Sequence, residues 1–148
     1  MHLTTTALLA LLPTTIHSHG LITSPPSRSI GPALLSTCGP KVSQDIRLDN
    51  TSHVEGLPEL AAKSPDYHAA SCNLWLCKGL QFADNANRTQ TWHAGQVVPI
   101  KVWLRIPHEG SANVSIVDTK VNVVVGNMLR VWREGYAPGK TESDVPVD

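Results

Sequence analysis

Residues 98–118, VPIKVWLRIPHEGSANVSIVD, are the stretch that decides the fold. From Val98 to Ile106 apolar and polar side chains alternate, which is typical of a half-buried β-strand. A turn follows at residues 107–110, PHEG, and the alternation resumes from Ala112 to Asp118. We expect two neighbouring strands whose inward side chains are Ile100, Val102, Leu104, Ile106, Val114 and Ile116, with Asn113 and Ser115 facing solvent.

Further short strands are expected on the C-terminal side, at residues 122–125 and 128–132. Short alternating strands separated by frequent turns predict an all-β fold, an immunoglobulin/fibronectin-III-like β-sandwich. Upstream, the adjacent prolines Pro25 and Pro26 predict an extended and then irregular segment up to residue 40. Residues 41–92 are expected to be long irregular loops with one short helix at residues 58–63.

After Trp132 the alternation stops. The sequence predicts an irregular polar tail at residues 137–148 and about four or five strands, fewer than the seven or so of a complete sandwich. We therefore expect a single domain over residues 19–136 that is incomplete at its C-terminus.

The composition limits the classes of partner. The chain has 148 residues, and its 12 Lys and Arg balance 12 Asp and Glu, so the formal net charge is zero. This balance predicts neither a nucleic-acid surface nor an anionic-membrane surface. No apolar run approaches the roughly 18 residues of a membrane-spanning helix.

Residues 1–18 are predicted to be a signal peptide. An apolar run at residues 7–12 precedes Ile16 and Ser18, which occupy the −3 and −1 positions of a plausible cleavage site. Three N-x-S/T sequons begin at Asn50, Asn87 and Asn113, as expected of a secreted glycoprotein. The three cysteines, Cys38, Cys72 and Cys77, leave one unpaired, and a Cys72–Cys77 disulfide is one of the open pairings.

Cleavage after Ser18 would make His19 the N-terminal residue. Its α-amine titrates near 8, so amine and imidazole Nδ1 together form a chelate for a metal ion. One further imidazole would give three nitrogens in one plane, which favours copper over tetrahedral zinc. Among His53, His68, His93 and His108, we select His108, because its turn is anchored by the two best-defined strands.

Several collinear motifs carry a resemblance to a known family. They are HG at residues 19–20, SPPSR at 24–28, CG at 38–39, CNLWLCKG at 72–79, FADN at 82–85, WHAGQV at 92–97, RIPHEG at 105–110 and NVSIVD at 113–118. This order resembles the fungal lytic polysaccharide monooxygenases, with auxiliary-activity family sixteen as the nearest group; related domains are described as chitin-binding type 4. The resemblance covers His19 to about Tyr136.

The resemblance implies a copper site in which His19 and His108 are both the metal ligands and the catalytic residues. It implies a secreted, monomeric enzyme that cleaves glycosidic bonds oxidatively by hydroxylating C1 or C4. The substrate would be cellulose, or else chitin, and an external electron donor would act with O2 or H2O2. The alternatives are a copper-binding protein without catalytic activity and a metal-free carbohydrate-binding module.

The sequence departs from the family pattern in one respect. The family places a Tyr or Phe near its C-terminus at the axial copper position, whereas Tyr136 is the only aromatic residue after Trp132 here. Together with the odd cysteine, this departure predicts that the chain is truncated at its C-terminus.

Overall fold

The computed structural model describes residues 19–106, 110–136 and 142–147, with the backbone alone for His19 and for residues 142–147. Five strands and two helices lie in this part: β1 His19–Ser24, α1 Pro32–Leu48, α2 Leu57–Ala61, β2 Val98–Ile106, β3 Ala112–Asp118, β4 Val123–Trp132 and β5 Glu142–Val147. Short 3-10 helices cover Cys77–Gly79 and Ala83–Arg88. No helix among the described residues is long and apolar enough to cross a membrane.

The strands form two small antiparallel sheets, one of order β1-β2-β5 and one of β3-β4. The all-β prediction is therefore correct only in part, because the first half of the described chain contains helices and a single strand. The fold that these residues show is a mixed one of antiparallel strands and helices.

Strand β2 has the bounds that the alternation predicted. Val98 and Leu104 are buried, while Lys101, Trp103 and Arg105 on the other parity are exposed. The predicted inward position Ile106 is 44% exposed, because the strand ends there. The inner face of β2 therefore ends at Leu104.

Strand β3 also has its predicted bounds, but its inward residues differ. A register shift between Val114 and Ile116 interrupts its pairing with β4, and Ile116 is 56% exposed. The two strands predicted at residues 122–125 and 128–132 are one strand, β4. Val114 pairs with Arg130, whereas Ile116 pairs with Val125, so β4 has more residues than β3 between the two pairs. The extra residues of β4 form an irregularity in the pairing.

Helix α1 corrects the irregular segment predicted up to residue 40. Pro32 stands at the first turn, where a missing N–H costs nothing, and Leu34, Cys38, Val42 and Ile46 recur every four residues on the buried face. Gly39, at φ 84°, kinks the helix, and a Cβ there would lie 2.5 Å from Ser64 Cβ. The short helix predicted at residues 58–63 is confirmed as α2, Leu57–Ala61.

The core of the helical half lies under α1. It contains a disulfide between Cys38 and Cys72, whose Cα atoms are 5.2 Å apart. The alternative Cys72–Cys77 pairing is therefore wrong in this structure, and Cys77 is an exposed free thiol. Around the disulfide pack the buried side chains of Leu34, Val42, Ile46, Leu57, Ala61 and Leu74.

The FADN motif ties this core to the N-terminal segment. Asp84 accepts hydrogen bonds from the backbone N–H groups of Ala33 at 2.8 Å and Leu34 at 2.9 Å, which satisfies the free donors at the start of α1. Asn85, 6% exposed, both accepts from the N–H of Ser29 and donates to its carbonyl. These residues have a structural role, which explains their spacing.

Strand β5 lies within the segment for which an irregular tail was predicted. It pairs with β2 from Val98↔Val147 to Trp103↔Glu142, on the edge opposite β1. Proline is unusual within a strand, so Pro146 obscures this strand in the sequence; it is tolerated here because β5 is an edge strand.

Candidate functional site

The first predicted ligand, His19, is the first residue of β1. Its backbone pairs with Ile106, the last residue of β2. The side chain of His19 is outside the described part of the structure, as is the whole of the second predicted ligand, His108. Along the sequence, His108 follows Ile106 by two positions.

The pairing of β1 with β2 therefore brings His19 to the C-terminal end of β2. Paired Cα atoms of antiparallel strands are separated by about 4.5–5.5 Å. The backbones of His19 and Ile106 consequently share one end of the sheet.

Arg105 fixes this end of β2 to the loop that follows α1. Its guanidinium donates to Asp49 Oδ2 at 2.6 Å and to Thr51 Oγ1 at 3.1 Å. Thr51 in turn donates to Asp49 Oδ1 through both its hydroxyl, at 2.6 Å, and its backbone N–H, at 2.9 Å. The Thr51 hydroxyl chiefly, with the Thr51 N–H and Arg105, lowers the pKa of Asp49 to about 2 against the opposing effect of burial.

A cavity of about 340 Å³ adjoins the same region. Gly20, which follows His19, lines it together with His53, Leu104 and Tyr136. The backbone N–H of Tyr136 donates to the carbonyl of Gly110 at 2.9 Å, so Tyr136 is held beside Gly110. Partial burial raises the pKa of the Tyr136 phenol above its usual value, which keeps the phenol protonated at neutral pH.

His53 and Tyr136 are residues whose position the sequence analysis did not anticipate. The Nδ1 atom of His53 is buried, and the ring lines the cavity that Gly20 reaches. His53 was one of four candidate imidazoles and was not selected, because its segment was predicted to be irregular. No sequence pattern links residue 53 to residue 20.

The remaining candidate imidazoles, His68 and His93, are exposed and do not line this cavity. Among the described residues there is no group of three or more His, Cys, Asp or Glu side chains that could hold a metal ion. The predicted ligand His108 is not among these residues.

No family model matches the chain, and no curated protein matches it.

Proposed function

We propose that the secreted, processed chain is a copper-dependent enzyme that cleaves a polysaccharide, most readily cellulose, by oxidation at C1 or C4. The observation that carries the proposal is the pairing of His19 with Ile106, two residues before His108. The two histidines are 89 positions apart in the sequence. The pairing of His19 with Ile106 makes a joint site geometrically reasonable.

The donor set suits copper. After cleavage at residue 18, a free amine and an imidazole from His19 and an imidazole from His108 would offer three nitrogens. Bound copper would supply the activation of O2 or H2O2, with electrons from an external donor. The chain would supply the positioning, because the Arg105–Asp49 ion pair holds the strand that leads into the turn.

The finer fold that we propose is a β-sandwich of the immunoglobulin/fibronectin-III type. Support comes from a cavity of about 590 Å³ whose walls belong to both sheets. Val98 and Ile100 of β2 and Val114 and Leu129 of the other sheet are among the residues that line it. A sandwich has an apolar space between two sheets, so a cavity lined by residues of both sheets supports the proposal.

A carbohydrate-binding module without catalytic activity is the second candidate. Three tryptophans favour it, since Trp75, Trp92 and Trp103 are 68%, 50% and 41% exposed. Exposed aromatic rings offer flat apolar faces to a ligand. This candidate predicts binding to polysaccharide that does not depend on His19 or copper.

The deciding experiment compares two forms of the protein by calorimetric titration with Cu(II). One form begins at His19, and the other has a methionine before it. We expect sub-micromolar affinity for the first form and at least about a hundredfold weaker binding for the second, because the additional peptide bond removes the amine ligand.

His108→Ala should weaken binding in the first form, whereas His68→Ala is the matched control. Equal affinity of the two forms would refute the proposed copper site. Oxidised oligosaccharides released from cellulose only by the form that begins at His19 would then distinguish the enzyme from the binding module.

A further inference from the structure

One large cavity lined by described residues has a strongly basic wall. It measures about 960 Å³ and lies between the β1–β2 pair and the C-terminal end of α1. Four arginines line it, Arg28, Arg47, Arg88 and Arg105, against a single acidic residue, Asp49. These residues give 4 − 1 = 3 surplus positive charges in a chain whose formal net charge is zero.

Three of these guanidinium groups are held in place by the protein. Arg28 donates to the carbonyl of Leu80 at 2.7 Å, and Arg88 donates to the Ser29 hydroxyl at 2.7 Å. Arg105 is paired with Asp49. Each guanidinium carries five N–H donors, so these contacts fix the groups and still leave donors for a ligand.

Arg47 differs from the other three. It lies in the last turn of α1, its side chain is exposed, and within the described part of the chain it makes no hydrogen bond or ion pair. Its guanidinium is therefore available to an anion in the cavity. Arginine binds carboxylates through two parallel N–H···O bonds, which gives geometric specificity as well as attraction.

The same wall carries an aromatic face. Trp103 is 41% exposed and lines the cavity, and Arg105 follows two residues later on the same strand. Alternate residues of a strand project to the same side, so the indole and the guanidinium are neighbours on one face. A ligand that fits this wall has a ring with an apolar face, such as the C–H face of a pyranose, and a negative group attached.

We propose that this cavity binds an oligosaccharide containing carboxylated sugars, with a uronic acid carboxylate at Arg47 and a sugar ring against Trp103. The volume is within the range of ligand pockets and is far larger than an inorganic anion requires. Neither His19, His108 nor copper takes part, so this site goes beyond the proposed oxidative function and is tested separately from it.

The test is calorimetric titration of the metal-free, full-length protein at low ionic strength with trigalacturonate, cellotriose and inorganic phosphate. We expect trigalacturonate to bind more tightly than either of the others, and to bind more weakly as salt is added. Arg47→Gln should weaken its binding about fivefold, as expected when one charge-assisted contact at an exposed position is lost.

Arg133→Gln is the matched control, because Arg133 is also exposed and does not line the cavity. It should leave the affinity unchanged. Trp103→Leu should weaken trigalacturonate binding and leave the weak binding of phosphate as it is. The proposal is overturned if trigalacturonate does not bind, if cellotriose or phosphate binds as tightly, or if Arg47→Gln and Arg133→Gln have the same effect.

Discussion

Replacing Asp84 by Ala tests the connection between the FADN motif and α1. The carboxylate accepts two hydrogen bonds from the first turn of the helix, at 2.8 and 2.9 Å, and those N–H groups have no partner within the helix. Leu34, one of the two donors, is fully buried, so water cannot replace the lost acceptor readily. Loss of a helix cap at a partly buried site costs about 2 kcal/mol of unfolding free energy.

Urea unfolding followed by tryptophan fluorescence measures this loss. With a typical slope for a small domain, 2 kcal/mol lowers the midpoint by about 1 M urea. Asp66→Ala is the matched control, because Asp66 is exposed and makes no interaction among the described residues. Asp84→Asn should have an intermediate effect, since one acceptor oxygen remains. If Asp84→Ala and Asp66→Ala unfold at the same urea concentration, the capping role is refuted.

Three further predictions concern stability. The pKa of Asp49 in the folded protein is lowered from 3.8 to about 2, so the contribution of its carboxylate to stability is present above pH 3.8 and is lost as the pH falls towards 2. Asp49→Asn should therefore flatten the acid side of a curve of stability against pH. An unchanged slope would contradict this. Replacing Cys38 and Cys72 together by Ala should cost about 2–4 kcal/mol in chemical unfolding, whereas no loss would mean that the disulfide does not form. Gly39→Ala should lower the thermal unfolding temperature more than Gly95→Ala. Both glycines have a positive φ, but of the two only Gly39 has a neighbour, Ser64, within 4 Å of an added Cβ. The reverse order would refute the role of the contact with Ser64.

A strand could be predicted from the sequence where one of its faces is buried and the other is exposed to solvent. The bounds of β2 and β3 follow from that alternation alone. The inward set of β3 could not be predicted, because the shift at Val114 and Ile116 depends on the partner strand rather than on local pattern. Strand β5 was missed for the same reason: its pairing with β2 is a long-range contact.

The helical half was harder to predict because proline disfavours the interior of a helix, and its prolines therefore indicated an irregular segment. Pro32 and Pro40 begin the two pieces of α1 rather than break it, and the four-residue spacing from Leu34 to Ile46 was the signal that was overlooked. The disulfide partner of Cys72 was not predictable, because spacing along the chain does not give distance in space.

The candidate ligands were predicted from the sequence, and the structure describes some of the residues around them. The choice of His19 and His108 stays a prediction, while the pairing of His19 with Ile106 gives it a geometric basis. The approach of His53 and Tyr136 to Gly20 could not have been predicted from the sequence, because it depends on how two segments distant in sequence pack beside β1.

The exposed apolar side chains of the β3–β4 ribbon have a practical consequence for every assay above. Nine of the ten residues of β4 are exposed, and the strand includes Met128, Leu129 and Val131 at 57%, 43% and 45% exposure. Such a surface promotes self-association as the sample is concentrated. Titrations should therefore use dilute protein, be repeated at several protein concentrations and be accompanied by light scattering of the same sample. The heat of self-association can then be separated from the heat of ligand binding.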